Sequence, residues 1–333
     1  MSLTNPKGLS GGRTVCTHLV FLIALSFCAP ALSQTGDSEK GDSASEGEVS
    51  AAPFKRHIVF YKTALAHSQN PLGLASVSEI GYRLNLFDSD NILLGDTHAA
   101  LSFAPYLTPA FSRLGLKLKV KPIALLELAA RYDVINYFGN FGLLQSFSSP
   151  LESYDDDRLE EREAQGLNKA ASGDMVTLEA LLQAKVGSFA ARSAFKAYLT
   201  NLDLPEDETV HYMASLDVLV PTKGMTFSID TDALYLSDGG LTAGLRHTLV
   251  QPIYKDTDFG PLESSEKNPN GPIHRLGTLI AYKFNKDKGT HFDEPTAFLL
   301  VQWYLKHRNR AGQNSSQFLP YMALGFSFSG HIL

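Results

Sequence analysis

Beyond residue 56, apolar and polar side chains repeatedly alternate one for one, the period-two pattern of a strand whose two faces meet different surroundings. The clearest run is Arg113 to Lys121, where Leu114, Leu116, Leu118 and Val120 point one way and Arg113, Lys117, Lys119 and Lys121 the other. Glu127 to Val134 is again charged on one face only. Met175 to Gly187 sets Val176, Leu178, Leu182 and Val186 against Thr177, Glu179, Gln183 and Lys185. Similar alternation runs through His211–Val220, Thr226–Tyr235 and Gln317–Ser329. No run of about 18 apolar residues follows residue 56, so no helical membrane span is expected there.

Two architectures give such strands. A soluble sandwich or barrel turns its apolar face inward, whereas a membrane barrel turns it to lipid around a polar lumen. Length separates them, since soluble strands average about 5–6 residues and tilted spanning strands need about 9–11. Several runs here reach ten or more. Charges stand at mid-strand (Glu127, Arg131, Glu179, Lys185, Arg246), and aromatics gather near segment ends, among them Tyr82, Tyr106, Tyr137, Phe138, Tyr198, Tyr235, Tyr282, Phe284, Trp303 and Tyr304. Both fit a polar lumen with interfacial girdles. The expected fold is all-β, an antiparallel transmembrane β-barrel.

Twelve spanning segments are expected: 74–87, 95–105, 109–120, 123–137, 174–187, 189–201, 208–220, 224–237, 240–253, 273–285, 295–307 and 316–329. Residues 57–73 are expected to be an N-terminal extension or an extra strand, leaving the barrel to 74–333. About twelve strands, with ten to fourteen compatible with the pattern, follow from this reading.

The head of the chain is not barrel-like. Lys7 and Arg13 precede the apolar run Leu19–Cys28, and Ala31 and Ser33 give a small-residue cleavage site, so residues 1–33 read as a cleaved signal peptide. Both cysteines, Cys16 and Cys28, lie within it, which leaves the mature chain without disulfides or thiolate chemistry. Cleavage removes Lys7 and Arg13 from the 29 basic residues and none of the 35 acidic ones, giving a formal charge of −8 that argues against a nucleic-acid partner. Residues 34–56, rich in Gly, Ser, Asp and Glu, read as a disordered polar tether.

With its signal peptide, dyad-repeat strands, polar loops and aromatic last strand (Gly325, Phe326, Phe328), the chain resembles bacterial outer-membrane porin-like barrels over residues 74 to 333. The resemblance implies an outer-membrane location, contact with outer-membrane lipid and lipopolysaccharide, and delivery by the barrel-assembly machinery that reads the final strand. It also implies an even strand number with both termini in the periplasm. If the first strand begins at residue 74, the acidic stretch 139–173 falls on the periplasmic side, where turns are usually short. Counting 57–66 as a strand moves that stretch outside, but makes the number odd unless another segment is not a strand.

The same alternation assigns Arg113, Lys117, Lys119, Glu127, Arg131, Asp133, Glu179, Lys185, Asp217, Asp230, Asp232 and Arg246 to the lumen wall. With Arg83, Arg192, Lys196, Arg275, Lys283, Lys306 and Glu79, which the alternation also turns inward, twelve basic residues stand against seven acidic ones, so an open lumen would favour small anionic solutes. Alternatively these charges pair across strands and fill a closed interior. A second function class is an outer-membrane enzyme acting on lipid or peptide: Asp230 and Asp232 share a strand face, with Asp217 and His211 on the segment before. No GxSxG, HExxH or P-loop pattern occurs, and no cofactor is implied. The acidic run Tyr154–Glu163 reads as a solvated loop that lacks the ligand spacing of a calcium site.

Overall fold

In the computed structural model, which describes residues 54–284, 293–312 and 319–332, twelve strands close into one antiparallel barrel. They are β1 (His57–Gln69), β2 (Gly73–Asn85), β3 (His98–Phe103, resuming at Tyr106–Leu107), β4 (Phe111–Ile123), β5 (Leu126–Phe138), β6 (Ala170–Val186), β7 (Phe189–Leu202), β8 (Lys223–Leu236), β9 (Leu241–Ile253), β10 (Ile273–Lys283), β11 (Asp293–Lys306) and β12 (Tyr321–His331). The ring closes where β1 pairs with β12, Phe60 opposite His331 and Gln69 opposite Met322. A strand of thirteen residues, the length of β1, β2, β4, β5 and β9, is about 43 Å long. Tilted by about 45°, it covers about 30 Å, the thickness of a hydrocarbon core.

The strand membership differs from expectation in two places that compensate. Residues 57–69 are a full barrel strand, paired along their length with both β2 and β12. The alternation of β1 is faint because Ile58, Ala64, Ala66 and Ser68 are its buried side chains while Thr63 and His67 stand on the other face. Residues 208–220 are not a barrel strand. They contain a hairpin of Val210–Met213 against Val218–Pro221, which Ser146–Phe147 extends to a small three-stranded sheet. All eight residues of the hairpin's two arms are buried, since a hairpin enclosed by a barrel has no face toward solvent or lipid. The count of twelve therefore holds with β1 in and this segment out.

With β1 counted, the longest connections fall at one rim. The start of β1 and the end of β12 meet at one rim, together with the connection 86–97, the two-residue turns 124–125 and 187–188 and the turn 237–240, where Gly187 and Gly240 take positive φ that L-residues rarely adopt. The long connections 139–169, 203–222 and 254–272 lie at the opposite rim, with residues 307–312 after β11 and the three-residue turns 70–72 and 108–110. The acidic run there is no open loop. Asp155 caps an α-helix, α1 (Asp156–Ala164), by accepting from the Arg158 amide at 2.8 Å, and Tyr154 before it is buried.

The outer wall is apolar. Leu114, Leu116 and Leu118 are 42–59% exposed, and Leu178, Leu182, Leu245, Leu299, Leu324 and Trp303 join them on the outside. A continuous apolar belt of this kind is a liability in water and the natural surface for lipid. Of the aromatics expected at interfaces, Tyr82, Phe138, Tyr235, Tyr282, Phe284 and Trp303 do face outward. Tyr106, Tyr137 and Tyr198 instead turn inward and are buried.

Candidate functional site

Those inward tyrosines meet the hairpin. Tyr106, Phe111, Ile135, Tyr137, Met175, Leu202 and Val250 from the wall pack with Leu143, Phe147, Val210, Tyr212, Leu216 and Val218–Val220 in one apolar cluster filling the long-loop half of the barrel. Burying each such side chain contributes about 1.5–3 kcal/mol, so the hairpin is a plug held mainly by the hydrophobic effect. Its one acidic residue, Asp217, is 1% exposed and sits at a backbone φ of +58°. It accepts from Tyr212 Oη (2.8 Å), Tyr304 Oη (2.8 Å) and Arg310 Nε (2.5 Å). Burial alone would raise its carboxyl pKa, but Arg310, His307 and the tyrosine hydroxyl hold it down at about 2.

Below the plug the lumen turns polar. A cavity of about 150 Å³ lies between the walls, lined by eight basic side chains, including Lys62, Lys117, Arg131 and Lys196, and by five acidic ones. Arg113 donates to Asp133 at 2.7 Å, and Arg131 reaches the other oxygen of Asp133, also at 2.7 Å. Asp133 is fully buried, and Gly115 makes room for it: a Cβ there would lie 2.3 Å from Asp133 Oδ1. Lys117 donates to Glu179 at 3.0 Å, and Lys119 lies 3.6 Å from Glu127. Arg246 clasps Asp232 at 2.6 and 2.8 Å while Arg192 holds it from the other side, and Thr248 donates to Asp230 at 2.6 Å.

Arg113, Lys117, Lys119, Glu127, Arg131, Asp230, Asp232 and Arg246 all line this cavity, with Glu179, and Asp133 anchors its wall. Two expected lumen residues stand elsewhere. Lys185 is exposed, one residue from the end of β6 at the short-turn rim. Asp217 belongs to the plug and not to the wall, because its segment left the barrel. The neighbours of β8 are β7 and β9, so Asp217 does not stand beside Asp230 and Asp232 on an adjoining strand as an acid–base cluster would require. His211 is buried in the plug, with neither ring nitrogen hydrogen-bonded among the described residues. No group of three or more His, Cys, Asp or Glu side chains among the described residues is placed to hold a metal ion.

Asn70, Asp156, His307 and Arg310 were not expected at the site. Arg310 bonds Asp217 in the plug, Asn70 Oδ1 in the β1–β2 turn (2.5 Å) and Asp156 on α1 (2.8 Å). Asp156 and Arg310 lie outside every expected segment, Asn70 and His307 stand at segment ends, and nothing local in the chain relates residue 217 to residue 310.

No protein-family model and no curated protein matches the sequence. Among solved structures, OmpF of Salmonella typhi aligns at 8% identity over 82% of this chain and 97% of its own, with a TM-score of 0.33. Omp33 of Acinetobacter baumannii gives 9% identity over 83% and 99%, TM-score 0.35, and OccAB1 of the same organism 10% over 78% and 58%, TM-score 0.37. The strand pairing, the apolar outer wall and the charged chamber inside make this chain a closed twelve-stranded antiparallel barrel.

Proposed function

We propose that this chain is an outer-membrane channel for small anionic solutes that the plug holds shut. The observation that carries the reading is the polar chamber with eight basic and five acidic lining residues, ending abruptly at an apolar plug. The short-turn rim with both termini faces the periplasm and the long-loop rim, with α1, faces outside, as the loop lengths favour. Fixed positive charge on a narrow lumen raises the local anion concentration and lowers the entry barrier for anions.

Planar-bilayer recording with the full-length protein and its Arg310→Ala variant tests this. The unmodified protein should show rare, brief openings in KCl, and the variant frequent and longer ones. If neither passes current while both show the heat-modifiable migration of a folded barrel, the channel reading is wrong and a structural barrel remains.

A further inference from the structure

On the outer side of the plug, at the long-loop rim, lies a second cavity of about 510 Å³. Its wall is apolar on one side, from Pro71, Phe141 and Met322. On the other side α1 presents Asp156, Leu159, Glu160 and Glu163, one face of the helix at spacings of three, four and seven. Asp156 is engaged by Arg310. Glu160 and Glu163 take part in no ion pair among the described residues. The volume falls within the range of small-molecule sites, about 300–1,000 Å³.

Two further observations point to an occupant. Gln145 lines this cavity and is 1% exposed. Its Nε2 donates to the Leu159 carbonyl at 2.8 Å, which fixes the amide orientation, and its Oε1 accepts from nothing among the described residues. A buried acceptor without a donor costs about 1–3 kcal/mol, so a ligand N–H or O–H placed there would recover that energy. Phe141, whose side chain forms part of the apolar wall, is held at φ +56°, a conformation costing a non-glycine residue about 1–3 kcal/mol. Strain of this kind collects at ligand sites, where the surrounding fold imposes it.

We infer that this cavity is a binding site for a small amphiphilic amine. The apolar body rests against Phe141, Leu159 and Met322, a neutral N–H or O–H on that body donates to Gln145 Oε1, and the ammonium is held by Glu160 and Glu163. The site stands on the opposite side of the plug from the basic chamber and does not depend on conductance.

Dansylcadaverine carries all three features (a naphthalene body, a sulfonamide N–H and a primary ammonium), and its emission reports on polarity. Titrated into the full-length protein in lipid nanodiscs, it should shift to the blue and saturate at one site per protein, above the signal from empty nanodiscs. Glu160→Gln/Glu163→Gln should weaken it about tenfold and leave its N-acetylated, uncharged analogue unaffected. Gln145→Met should weaken both probes severalfold. The exposed Glu160 guards against misfolding as an explanation, and gel mobility verifies the barrel in each variant. No saturable component beyond empty nanodiscs, or equal affinity in the wild type and the glutamate variants, overturns the site.

Discussion

Arg310 donates through Nε to Asp217 Oδ2 at 2.5 Å, joining residues 93 positions apart and fastening the plug to the connection between β11 and β12. Both partners are buried, and Arg310 also bonds Asn70 and Asp156, so one guanidinium ties together the plug, the β1–β2 turn and α1. Removing one member of such a pair leaves the other charge buried and uncompensated, which costs about 3–5 kcal/mol. Arg310→Ala should therefore speed amide exchange over Val210–Pro221 while leaving the β4–β7 ladder unchanged. Uniform acceleration across the barrel would show that the latch supports the whole fold and not the plug.

The plug should loosen in acid, first through His307. This ring is buried, which disfavours its charged form, and its pKa lies below the ordinary value. Nε2 donates to the Asp217 carbonyl at 2.8 Å, while Nδ1 accepts from the amides of Asn309 and Arg310, both at 3.0 Å. A proton on Nδ1 would face those two amide donors. Asp217 opposes this only in part, and Arg310 and Arg275 reinforce it. When the folded pKa is depressed, the open state takes up the proton first. The stability is then complete above about pH 6.5 and declines as pH falls towards the folded value. Asp217, held at about 2, adds a second loss only below about pH 4. Exchange at 210–221, corrected for intrinsic rates, should rise below pH 6.5 in the wild type and stay flat to about pH 5 in His307→Gln.

The wall was legible in the chain because a barrel strand reports its two environments residue by residue. Leu116 is 59% exposed and the Lys117 side chain only 14%, as the alternation of β4 requires. The plug was not legible, because a hairpin inside a barrel has no second environment to record. His211 and Asp217 alternate with apolar neighbours for local reasons, yet both faces are buried. β1 reads only as an extension or an extra strand for the converse reason: alanines face the lumen and Thr63 and His67 face out, so the contrast is weak. The latch depends on contacts between residues 70, 156, 217 and 310, which strand periodicity cannot convey.

Face assignment on β4 can be tested directly. Leu116→Arg should cost roughly 2–4 kcal/mol if that position lies near the membrane midplane, and less towards an interface. Lys117→Gln should cost less, losing a hydrogen-bonded pair with Glu179 that the lumen partly hydrates. Reversible urea unfolding in lipid vesicles measures both, and the reverse ranking would mean the wall is inside out.

Gly115 predicts an effect on the chamber from a single methyl group. Its added Cβ would lie 2.3 Å from both Asp133 Oδ1 and the Tyr132 carbonyl, and the backbone oxygen cannot swing away. Gly115→Ala should destabilise by about 1–3 kcal/mol, the usual range for overpacking. It should also displace Asp133 from Arg113 and Arg131, changing single-channel current as well as stability. A stability loss with unaltered current would leave Asp133 structural only.

Selectivity tests the chamber's charge most directly. Its lining carries three more basic than acidic side chains, eight against five, although the full chain is acidic at −6. An open pore with this lining should prefer anions, most readily seen in Arg310→Ala, where current is larger. The preference should fade with salt, because the Debye length contracts from about 10 Å at 0.1 M to about 3 Å at 1 M. Lys62 is the most informative position to reverse: it lines the chamber and forms no salt bridge within 4.0 Å among the described residues, so Lys62→Glu changes the field without breaking a close pair. Lys117→Gln should act in the same direction but more weakly, since it removes one positive charge where Lys62→Glu reverses one. Lys185, exposed at the rim, should have the smallest effect because bulk solvent screens it. Reversal potentials in a KCl gradient rank the three. Cation preference in the parent channel, or a Lys62→Glu variant with unchanged reversal potential, would refute a lumen whose selectivity is set by this excess of positive charge.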